Sequence, residues 1–215
     1  MVEVRELHEM AEFEQLDALF DGIWHFGTGA PPITVELMRA LERGLERITW
    51  TYDPLMRRNA HFNLAKLGAR PSEYLPCFYG VMDDAINRGD ESDRLLTAWP
   101  LSDPRVEALA RPEPLVETSA RVDALARVEP RGSDALPPGA VVALADVGGR
   151  PVAGPVDAGV VLVAVPADIA GLRGADPGTA KAWRHAVRDV LGGLMAEGRA
   201  VTGFAGKSYY VVERT

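Results

Sequence analysis

The stretch that most constrains this chain is residues 48–99, which opens ITWTYDPLMRRNAHFNLAKLG. Ile48, Trp50 and Tyr52 alternate with Thr49, Thr51 and Asp53, so β-branched and aromatic side chains point to both faces of a strand. Asp53 is expected to cap the helix that follows, with Pro54 at its first position, where a missing N–H costs nothing. Gly68 closes that helix with the backbone freedom a C-terminal turn needs. A strand running straight into a helix is the unit around which α/β proteins build their sites.

The first turns of this helix carry Arg57, Arg58 and Asn59. Basic side chains at a helix N-terminus suit an anion, although a solvated helix face is the plainer reading of the same residues. Phe62, Leu64, Ala65 and Leu67 are expected in the core. Tyr74, Phe78 and Tyr79 fall in an extended segment around Pro76. Tyrosines there usually pack, but a hydroxyl at a sheet edge can donate a proton.

Upstream, VEVREL reads as a strand and HEMAEFEQLDALFDGIW as a helix with one apolar stripe. The loop HFGTGAPP contains His25, for which plain loop chemistry outweighs catalysis. A second helix starts at Thr34 and is weakened at Gly44 by about 1 kcal/mol relative to alanine. It passes almost directly into the strand at Ile48.

Downstream of residue 104 the chain is rich in Pro, Gly, Ala and acids and reads as a smaller second unit. VETSARVDALARVEP and AVVALADV are strand-like, and LPPG and GGRP mark turns between antiparallel strands. VVLVAVP is a continuous apolar run, as in a strand covered on both faces. Asp176-Pro177 repeats the cap pattern and starts a helix whose stripe is Trp183, Val187, Val190, Leu191 and Leu194, ending at Gly198. His185 and Asp189, four residues apart, are placed to pair at its surface. The final AVTGFAGKSYYVVERT reads as one strand, bent near Gly203 and Gly206.

With 215 residues, 47% of them apolar, the chain can bury a sizeable core. Its net charge of −8 argues against a nucleic-acid partner, which needs a basic surface. Cys77 is the one cysteine, so there is no internal disulfide or cysteine-rich metal site; burial is its expected fate, and a reducing cytoplasm the expected compartment. No apolar run approaches the roughly 18 residues a membrane span requires. No metal-ligand spacing, nucleophile elbow or Walker loop occurs, so no metal is expected.

ITWTYDPL, RNAHFNLAKLGA, YLPCFYG, SDRLLTAWPLSDPRV, LVAVPADIAGL, AWRHAVRDVL and VTGFAGKSYYVVER together resemble an uncharacterised branch of the GNAT acyltransferase superfamily. The resemblance implies an α/β (α+β) fold, a mixed sheet flanked by helices. Acetyl-CoA or another acyl-CoA would lie in a V-shaped split between the fourth and fifth strands, and its acyl group would pass to a small acceptor. It implies a shortened GNAT-like domain over 1–104, with a C-terminal α/β subdomain over 105–215 packed on it. Arg57, Arg58, Asn59 and Asn63 match the residues that would hold the phosphates and pantetheine arm. Tyr79 is the candidate acid.

The family's pyrophosphate loop, Arg/Gln-x-x-Gly-x-Gly/Ala, does not occur in this sequence. TVELMRAL is joined to ALERGLERITW around residues 40–42, where the family would insert its central strands and that loop. The familiar tyrosine acid, four residues before the helix-closing glycine, is Leu64. The resemblance therefore implies an acyl-CoA-dependent acyltransferase; the alternative is a non-catalytic GNAT-derived binding or assembly module, with a homodimer completing the exposed sheet.

Overall fold

The alternating ITWTY forms strand β1 (Arg47–Tyr52), in which Ile48 and Tyr52 turn inward while Arg47 and Thr49 face solvent. The computed structural model describes residues 47–82, 89–100, 103–104 and 135–215, all within the compact unit Arg47–Thr215. The strand and two helices expected before residue 47, and the strand expected in VETSARVDALARVEP, lie outside the described residues. So do residues 105–134, next to the expected boundary at 104.

After β1 the chain makes helix α1 (Arg57–Ala60), which continues as a wider π-type turn over His61–Lys66. Gly68 then takes φ +68° and closes it, as expected. Strand β2 (Arg70–Leu75), the short β3 (Val81–Met82) and β4 (Asp90–Glu91), and β5 (Arg94–Pro100) follow. β5 lies between β1 and β2, antiparallel to both, and β3 pairs with β4. Because Ile48 sits opposite Trp99 and Tyr52 opposite Leu95, the inward residues of neighbouring strands share one face.

The second sheet is built from β6 (Val141–Val147), β7 (Arg150–Ala153), β8 (Val160–Ala164), β9 (Ala200–Ala205) and β10 (Tyr209–Glu213), in the order β7-β6-β8-β10-β9. β6 and β8 are parallel; the other pairings are antiparallel. The mixed α/β class expected from the sequence is the observed one. β8 is covered on both faces, with Val161, Leu162, Val163 and Ala164 all buried, as its unbroken apolar run requires. The GGRP turn joins β6 to β7 through Gly148 and Gly149, both at positive φ, the backbone a tight two-residue hairpin needs.

Two expectations are corrected. The terminal AVTGFAGKSYYVV is a hairpin rather than one bent strand: Gly206 (φ +54°) and Lys207 (φ +53°) make the turn, and β9 and β10 pair across it. Cys77 is exposed, not buried.

Helix α2 (Ile169–Ala175) ends at the non-helical Asp176, after which a long helix is made of α3 (Pro177–Val187), a π-type turn over Arg188–Gly192, and α4 (Gly193–Ala196). Asp176 caps α3 by accepting the Thr179 N–H at 3.0 Å, with Pro177 in the first turn. Trp183, Val187, Leu191 and Leu194 form the buried stripe, and the Trp183 indole N–H donates to the Gly149 carbonyl at 2.8 Å. They share one core with Tyr52, Leu55, Leu64, Tyr74 and Leu95 from the first sheet and its helix, and with Val161, Val163, Phe204 and Tyr210 from the second. Gly198, at φ +86°, ends the helix.

Candidate functional site

Asp53 follows β1 directly, yet it does not cap α1. One carboxylate oxygen accepts the Leu55 N–H at 2.9 Å, which closes a small side-chain turn, and the helix begins later, at Arg57, without a side-chain cap. Both Asp53 oxygens are engaged from the helical side: Arg184 Nη1 and Nη2, on the long helix, donate to them at 2.8 and 2.9 Å, and Arg173 Nη2, on α2, donates at 2.7 Å.

Asp90 accepts from the same two arginines. Arg173 Nε and Arg184 Nη2 each lie 2.9 Å from Asp90 Oδ2. One turn further along the helix, Arg188 clamps Asp93 bidentately, Nε at 2.9 Å and Nη2 at 2.6 Å, and also binds Glu91. The Tyr74 hydroxyl donates to Asp93 at 2.7 Å and the Cys77 N–H at 2.9 Å. His185 Nε2 lies 3.4 Å from Glu91 at the rim, so its partner is Glu91 and not the expected Asp189.

The electrostatics follow from this geometry. Burial alone would push the Asp53 carboxyl up, but the hydrogen bonds and charge of Arg184, with Arg173 and the Leu55 N–H, hold it below the usual range. Asp93 is likewise held down against burial by Arg188, the Cys77 N–H and Tyr74. Arg188 also lowers Glu91. Burial and the Asp93 carboxylate push the Tyr74 hydroxyl far above its ordinary value, so it stays a proton donor within this cluster. Asp53, Asp93 and Glu91 are thus ionised acceptors already paired with guanidinium. Such a set holds elements together.

The residues nominated from sequence lie on two different elements. Arg57 Nη2 donates to the Val165 carbonyl at 2.6 Å, at the end of β8, and desolvation there lowers its pKa. Arg58 is exposed, Asn59 half-buried, and Asn63 only 3% exposed in the core-facing side of the π-type turn. Tyr79 lies beyond β2. Its ring stands edge-on to Phe78 at 4.7 Å with the Arg94 guanidinium 5.3 Å from its centroid, and its N–H donates to Ser92 Oγ at 2.7 Å. The structure thus groups Arg57, Arg58, Asn59 and Asn63 on α1 and its π-type continuation and gives Tyr79 neighbours from residues 78–94 instead.

The Asp–Arg cluster was not foreseen. Its sequence signal is DESD at 90–93 set against arginines at 184 and 188, and only the fold shows that these segments meet. Among the described residues no group of three or more His, Cys, Asp or Glu is arranged to hold a metal ion. Nor is any described helix long and apolar enough to cross a membrane. No family model, curated protein or solved structure matches this chain.

Proposed function

We propose that the chain is a GNAT-type acyltransferase by descent, working in the cytoplasm, in which β1 and α1 form one wall of an acyl-CoA cleft. The observation that carries this reading is the strand–helix unit itself. β1 pairs on one side with β5 and keeps its other edge unpaired among the described residues, and α1 starts just beyond its C-terminal end. Arg58 and Asn59 stand on the outer side of that helix, where the phosphates or pantetheine arm of acyl-CoA would lie. The acceptor's amine would attack the thioester carbonyl and lose its proton to a general base among the acidic residues, the carbon–sulfur bond would break, and a proton donor such as Tyr79 would neutralise the leaving thiolate. Acetyl-CoA titrated into the purified protein should release binding heat; silence at millimolar cofactor would overturn this reading.

A second reading, a non-catalytic GNAT-derived binding or assembly module, is favoured by a specific observation. The Arg57 guanidinium is committed to the Val165 carbonyl, and Asn63 is buried, so two of the four expected cofactor contacts are turned to internal use. Intact mass belongs beside the titration. A polypeptide at the 23.2 kDa of this sequence that binds no acetyl-CoA supports the second reading, whereas one several kilodaltons heavier would carry the missing central strands.

A further inference from the structure

We draw no further inference here: the strongest candidate, the apolar face of the second sheet turned away from the main core, where Leu162, Ala205 and Val211 cluster with Val142 and Val160, has nothing among the described residues to show what covers it.

Discussion

Arg184 grips Asp53 with both terminal nitrogens, at 2.8 and 2.9 Å, across 131 residues of chain. Arg184 is fully buried and also serves Asp90, so no water can replace a lost partner. Arg184→Met should therefore cost about 3–5 kcal/mol, because it leaves two buried carboxylates to share the single guanidinium of Arg173. Urea unfolding would measure it. A loss below about 1 kcal/mol would class the pair with surface ion pairs and refute its anchoring role.

Acid should weaken the fold through the same cluster. Asp53, Asp93 and Glu91 are all held below their ordinary carboxyl values in the folded protein. The unfolded chain binds protons more readily than the native one, so their contribution is complete above the unfolded carboxyl range. It erodes as pH falls below about 5 towards the depressed native values. Thermal melts should show a plateau near neutrality and a decline under acid, with a shallower decline in Asp53→Asn. A flat profile down to the ordinary carboxyl range and below would contradict the geometry.

Neighbouring glycines on the long helix should respond oppositely. A Cβ at Gly192 would meet the Tyr74 ring at 3.3 Å, and Tyr74 cannot retreat without breaking its bond to Asp93. Gly192→Leu should destabilise by about 1–3 kcal/mol through overpacking. Gly193→Ala has open space and should gain up to about 1 kcal/mol from helix propensity. Equal effects at the two positions in denaturant titrations would mean the helix does not press on Tyr74.

The two arginines of α1 separate the proposed roles. If acyl-CoA binds along this helix, Arg58→Ala should weaken it roughly tenfold, the scale of one charge-assisted contact. Arg57→Met should instead lower stability, since its guanidinium holds the Val165 carbonyl. Calorimetry and melting curves on both variants distinguish them. The reverse assignment would place the cofactor elsewhere.

What could be read from sequence was local. The strand at Ile48, the helix closed by Gly68, the doubly covered β8 and the capped helix from Pro177 all follow from neighbouring residues alone. The same Asp-Pro pair shows the boundary of that method. At Asp176 the carboxylate caps the helix, whereas at Asp53 two arginines from far along the chain share it with the Leu55 N–H and the helix starts later. The Asp–Arg cluster was invisible for the same reason, since its pairs span 83 to 131 residues and leave no periodicity. The final hairpin was missed because Gly-Lys is not among the usual two-residue turn sequences, and Lys207 accepts a left-handed backbone there.

The long helix offers the core an apolar stripe of Trp183, Val187, Leu191 and Leu194 and, alongside it, Arg184 and Arg188. Greasy surfaces tolerate sliding and rotation with little penalty, but a guanidinium fork meets a carboxylate in one orientation. The two arginines thus act as indexing pins. They determine which of several similarly apolar settings the helix adopts, so their removal should blur the native arrangement as well as weaken it.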